Sequence, residues 1–79
     1  MANQSKTVWL QSSDTHKLQF QVLTEAPLSS FLKFKYYKAT GVYPESVILL
    51  FNGMKIEEQD TFSSLDMEDD DVIDVIQAN

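Results

Sequence analysis

The sequence predicts an α+β domain in which one helix packs across a mixed five-stranded sheet, in the order β-β-α-β-β-β. Three observations lead there. Leu18-Gln19-Phe20-Gln21-Val22 alternates apolar and polar residues, as a half-buried strand does. Between Pro27 and Gly41 the apolar positions take on the period of a helix. Asn52-Gly53, which suits the positive φ values of a type I′ turn, then separates the apolar run Val47–Phe51 from Met54-Lys55-Ile56. At 79 residues, 43% hydrophobic and 23% charged, the chain is too apolar for disorder and too short for two cores. A flexible polar lead over residues 1–6 and a single domain over 7–79 are expected.

Each element has a local cause. Thr7-Val8-Trp9-Leu10-Gln11 is rich in β-branched and aromatic residues and reads as the first strand. Ser12-Ser13-Asp14 supplies turn formers, and Leu18, Phe20 and Val22 share one face of the second strand, committing that hairpin to a core. Pro27 suits a first helical turn, and Leu28, Phe31, Leu32 and Ala39 form the predicted core stripe up to a cap at Gly41. Phe34 and Tyr37 sit off that stripe, either under a neighbouring loop or as an exposed aromatic patch. Pro44-Glu45-Ser46 reads as a loop before Val47–Phe51, whose unbroken apolar character suits a buried strand. Met54-Lys55-Ile56 folds back as its partner. Thr61–Leu65 reads as one helical turn with Phe62 and Leu65 inward, and Val72–Ile76 as a last strand central in the sheet.

Composition excludes whole classes of function. The chain has no cysteine, so disulfides, thiolate metal sites and cysteine nucleophiles are absent. Its longest apolar run is five residues against the roughly 20 of a membrane-spanning helix, and residues 1–6 lack the apolar core of a signal peptide, so a soluble domain without a membrane partner is expected. Net charge is −6, with no arginine, which argues against direct nucleic-acid binding. The charge is also uneven. Residues 1–40 carry five lysines against two carboxylates (+3), and residues 41–79 carry one lysine against ten (−9). An acidic half of this kind suits basic protein partners.

No residue constellation supports catalysis or a cofactor. His16, the single histidine, lies in the predicted hairpin turn with neither a cysteine nor a serine–acid pair to serve as base. The glycines, Gly41 and Gly53, build no phosphate loop. Glu68-Asp69-Asp70-Asp71 lacks the ligand spacing of a calcium loop. Four consecutive carboxylates repel one another, and a cationic partner would relieve that cost. The run therefore reads either as a solvated loop or as a docking surface.

With this order of elements in hand, Leu49-Leu50-Phe51-Asn52-Gly53-Met54-Lys55-Ile56 resembles the SUMO branch of the ubiquitin-like family, where a strand ends in an apolar-apolar-Phe-acid-Gly turn. Asp60-Thr61 and Leu65-Asp66-Met67-Glu68-Asp69-Asp70-Asp71-Val72-Ile73-Asp74-Val75 resemble the family's D-T…L-x-M-E-x-x-D-V-I-x-V ending. Leu18–Val22 with Pro27-Leu28 is similar to its second strand and helix start. The resemblance extends over about residues 7–78. It implies a ubiquitin-like β-grasp fold and a role as a protein modifier or a protein-binding module, not an enzyme, with a nuclear location.

It also implies two surfaces. By resemblance, an acidic face of Asn52, Gly53, Lys55, Glu68, Asp69, Asp70 and Asp71 docks non-covalently on a basic patch of the SUMO conjugating enzyme, with Asn52 where an acid is frequent and Ile48 where an arginine is frequent. A groove at Gln19, Phe20, Gln21, Val22, Leu23, Phe31 and Lys35 takes hydrophobic SUMO-interacting motifs as an added strand, with Gln21, Leu23 and Ser30 where lysines are common. Conjugated members finish in a processed Gly-Gly, whereas this sequence ends Ala78-Asn79. In that respect it looks like the SUMO-like domains of the RENi genome-stability scaffolds. A non-conjugated adaptor is the leading expectation; a SUMO-type modifier whose chain here ends before its glycines is the alternative.

Overall fold

A computed structural model describes residues 3–12 and 16–78. Of the expected features, Met1 and Ala2 of the lead, the turn formers Ser13 and Asp14, and Asn79 lie outside the described residues. Five strands and one helix follow the predicted order: β1 (Ser5–Gln11), β2 (Lys17–Leu23), α1 (Leu28–Thr40), β3 (Val47–Phe51), β4 (Met54–Lys55) and β5 (Asp71–Gln77). They form one mixed sheet in the order β2-β1-β5-β3-β4, a β-grasp. The last strand stands at the centre, parallel to β1 and antiparallel to β3, as its mixed apolar pattern predicted.

β2 and β5 each run one residue further at both ends than expected, and β1 and β4 differ for local reasons. β1 starts at Ser5, because Ser5 and Lys6 still find partners in Leu23 and Val22. The pairing even continues past the strand: Thr24 N–H donates to Gln4 O (2.8 Å) and Gln4 N–H to Thr24 Oγ1 (3.1 Å). β4 is shorter than predicted. Only Met54 and Lys55 pair, with Phe51 and Leu50, and the chain then turns Ile56 into the core. The Asn52-Gly53 turn behaves as predicted, with φ of 53° and 79°.

The helix has the expected ends but not the expected face. Gly41 caps it in the left-handed region (φ 82°) and donates its N–H to Tyr37 O (2.8 Å). Leu28, Ser29, Leu32 and Tyr36 are buried, whereas Phe31 and Ala39 of the predicted stripe are exposed. The buried row steps 28, 32, 36 along the ridge of i+4 neighbours. Phe31 and Ala39 fall on the flank of that ridge, turned toward the edge of the sheet. Of the off-stripe aromatics, Tyr37 stacks on Tyr43 of the following loop (ring centroids 5.4 Å apart) and Phe34 is exposed.

The core lies between helix and sheet. Val8, Leu10, Leu28, Leu32, Leu49 and Ile73 are its most fully buried side chains. Each such aliphatic contributes about 1.5–3 kcal/mol by leaving water. Pro44–Ser46 forms a single 3-10 turn rather than an irregular loop. Residues 61–65 make the one turn expected, closed by Leu65 N–H on Thr61 O (3.1 Å), with Phe62 buried and Leu65 against the core. Val47–Phe51 departs from its predicted full burial: Val47 and Leu49 are buried, while Ile48, Leu50 and Phe51 are only partly so.

Candidate protein-docking surfaces

Two regions hold the residues singled out by sequence. The first is one end of the sheet. β5 starts there beside β1, with Val8 opposite Asp71. Because β3 runs antiparallel to β5, with Leu50 opposite Asp74, the Asn52-Gly53 turn comes to the same end. Lys55 follows on β4, exposed and opposite Leu50. The topology thus collects the acidic run, the turn and Lys55 on one side of the molecule.

The acidic run is built into the fold. Thr7 N–H donates to Asp69 Oδ1 (2.7 Å), Asp70 N–H to Thr7 O (2.8 Å) and Trp9 Nε1–H to Asp70 Oδ1 (3.2 Å). These three bonds stitch the run to the start of β1. Glu68 N–H donates to Asp71 Oδ2 (2.7 Å), and Asp71 N–H returns to Glu68 O (3.0 Å), closing a tight turn. Asp70 adopts φ 71° to allow it, a left-handed conformation that Asp tolerates better than most residues. Three of the four carboxylates therefore hold backbone or indole donors. Glu68, Asp69 and Asp70 remain exposed, so their charge still faces solvent.

The second region is the groove between β2 and α1. β2 is an edge strand. Ser12 N–H donates to His16 O (3.0 Å) at one end of the hairpin and Thr24 N–H to Gln4 O (2.8 Å) at the other. Antiparallel pairing alternates, so these bonds fix the phase: even-numbered residues of β2 bond to β1, and Lys17, Gln19, Gln21 and Leu23 turn their backbone donors and acceptors outward. Along this edge one shallow depression is lined by Gln19, Phe20, Gln21, Phe31 and Lys35, and a smaller apolar notch by Gln21, Val22, Leu23 and Phe31. All seven predicted groove residues thus come together. Val22 is only 2% exposed, however, so it forms the floor rather than a contact. Lys35 Nζ sits 5.6 Å from the Phe31 ring centroid, placing a cation at the rim.

Sequence reasoning missed the ends of this groove. Ala26, Pro27 and Leu28 line the notch, and Lys38 and Ala39 the opposite end of the depression. The signal for the latter was the i+4 row Phe31-Lys35-Ala39, on the flank of α1 beside β2. Among the described residues, no three His, Asp or Glu side chains converge to hold a metal ion.

Residues 7–77 match the family described as ubiquitin-2 like Rad60 SUMO-like. A small ubiquitin-related modifier of Caenorhabditis elegans is 41% identical over 64 residues, covering 81% of this chain and 69% of the relative. Small ubiquitin-related modifier 2-A of Xenopus laevis is 38% identical over 64 residues, with 81% and 66% covered, and small ubiquitin-related modifier 3 of Gallus gallus is 38% identical, with 81% and 67% covered. The chain spans about two thirds of the length of these relatives.

Proposed function

Because the chain belongs to the Rad60 SUMO-like family of ubiquitin-like domains, we propose that it works as a non-conjugated protein-interaction module, docking through its acidic end on the SUMO conjugating enzyme or a related SUMO-pathway protein in the nucleus. The observation that carries this reading is the acidic run itself, stitched to β1 through Asp69 and Asp70 at the end of the sheet that also holds Asn52 and Gly53. Fixed carboxylates lose little entropy on meeting a basic surface, and their mutual repulsion is relieved there. Titrating the conjugating enzyme into isotopically labelled domain should shift the amides around Gly53 and Asp71. Unchanged amides would sink the reading. Glu68→Lys is the selective variant, because no bond of the turn uses its side chain: docking should weaken by about tenfold or more with the melting temperature unchanged.

A second reading rests on the relatives, which carry the name of a modifier. Under it the full-length gene product would form a thioester with the SUMO activating enzyme in the presence of ATP. A third use, reception of a Val/Ile-rich motif, is supported by the outward backbone phase of Gln19, Gln21 and Leu23, and would shift Gln19–Leu23 and Phe31–Lys35 instead.

A further inference from the structure

The solvent face of α1 is not the charged surface that a half-buried helix ordinarily presents. At 3.6 residues per turn, Ser30, Phe34 and Tyr37 lie within roughly 40° of the direction opposite the buried ridge Leu28-Leu32-Tyr36. Lys33 and Lys38 flank that stripe, one on each side. Phe34 is 53% exposed; Tyr43, stacked on Tyr37 from the following loop, is 61% exposed and lengthens the stripe. Lys38 Nζ lies 5.8 Å from the Phe34 ring centroid. Folding gives no reason for these rings. None of the three joins the core, and on a helix Phe and Tyr are poorer formers than the Glu, Gln or Lys that suit an exposed position. α1 also brings three lysines and no carboxylate.

We propose that this outer face of α1 docks an acidic amphipathic helix, whose apolar stripe covers Phe34, Tyr37 and Tyr43 and whose flanking carboxylates meet Lys33 and Lys38. Backbone chemistry and charge decide the occupant. α1 bonds its own N–H and C=O groups along its length, so an extended segment laid on it would leave its backbone unpaired, whereas a helix arrives satisfied. The cations of α1 call for acids. Glu45 and Glu58 line a depression with Lys33, so the positive field is stronger on the Lys38 side, where Lys35 adds to it. A second copy does not fit: the α-helix among its described residues is the same basic α1, and its acidic run is a tight turn leading into β5. Net charge −6 disfavours a nucleic acid. The face shares Lys38 with the margin of the β2 groove and nothing with the acidic end, so it stands whether or not that end docks the conjugating enzyme.

The full chain, isotopically labelled, would be titrated at physiological salt with a leucine–glutamate amphipathic peptide of about four helical turns. Two controls replace its glutamates by lysines or its leucines by serines, and a third probe is a single-stranded oligonucleotide. Saturable shifts at Ser30, Phe34, Tyr37, Lys38 and Tyr43 are expected for the leucine–glutamate peptide alone. Phe34→Gln, and separately the double variant Lys33→Gln with Lys38→Gln, should each weaken binding by about tenfold or more. Phe34 lies off the core and Gln is the better helix former, so amide dispersion should stay as in wild type and the melting temperature should not fall. Absence of saturable shifts at Phe34 and Tyr37, equal response to the glutamate–serine peptide, shifts confined to Gln19–Leu23, or unchanged affinity in both variants would overturn the proposal. So would tighter binding of the oligonucleotide at the same residues, since the occupant would then be a nucleic acid.

Discussion

Asp70 joins structure and charge in one side chain. Its Oδ1 accepts from the Trp9 indole, its N–H donates to Thr7 O, and its φ is 71°. Two substitutions separate the roles. Asn keeps an acceptor and tolerates left-handed backbone, so Asp70→Asn should leave urea stability nearly unchanged while weakening binding to a basic partner. Ala offers neither, and Asp70→Ala should cost about 1–3 kcal/mol in the same urea measurement. Equal losses in both would mean that the charge itself holds the turn. Gly41 and Gly53 are simpler. Nothing lies within 4 Å of a Cβ placed on either, so Gly→Ala at each should cost about 1–2 kcal/mol from the positive φ alone, with no repacking of the core. At this scale the sequence was readable where residue type and conformation agree, as in Asn52-Gly53. It was unreadable at Asp66 and Asp70, whose positive φ values lie within an acidic stretch that reads as any solvated loop.

The edge strand β2 offers the sharpest test among the elements. Gln21 turns its N–H outward, so Gln21→Pro should abolish strand addition by a Val/Ile-rich peptide, read by calorimetry, while leaving the β1 ladder in place. Its stability cost should be limited to strand strain and the exposed side-chain bonds Gln21 makes with Ser5 and Thr7. Phe20→Pro, by contrast, removes a donor aimed at β1 and should unfold the hairpin. If Gln21→Pro binds the peptide as wild type does, the edge is not its path. Pro27 and Gly41 made the helix legible from end to end, yet its buried face was misjudged. Tyr36 escapes a stripe drawn from aliphatic residues and phenylalanine, because a tyrosine can bury its ring and leave its hydroxyl near the surface. The apolar run Val47–Phe51 misled in the other direction. Period alone does not tell a strand covered on both faces from one covered on a single face.

Across the whole molecule, charge follows topology. The acidic run and the Asn52-Gly53 turn gather at the end of the sheet where α1 begins, while Lys35 and Lys38 line the groove in the helix's later turns. The two surfaces should therefore answer differently to salt. Raising it from about 0.05 to 0.5 M shortens the Debye length severalfold, so docking at the acidic end should weaken strongly, while a Val/Ile peptide in the groove should lose little. Parallel losses would mean that both depend on the same field. The charge division was plain in the sequence; that its acidic part is anchored by Thr7 and Trp9 was not, since these contacts join residues more than 60 positions apart. The same long reach has a consequence for how the chain comes into being. Of the five strands, β1 is made first, and the strand that must lie beside it, β5, is made last. Until Asp71–Gln77 emerge, the sheet has a hairpin on one side and β3 with β4 on the other, with nothing joining them. The molecule must therefore close late, in a single step, with Leu10 and Leu49 waiting for Ile73 to complete the core.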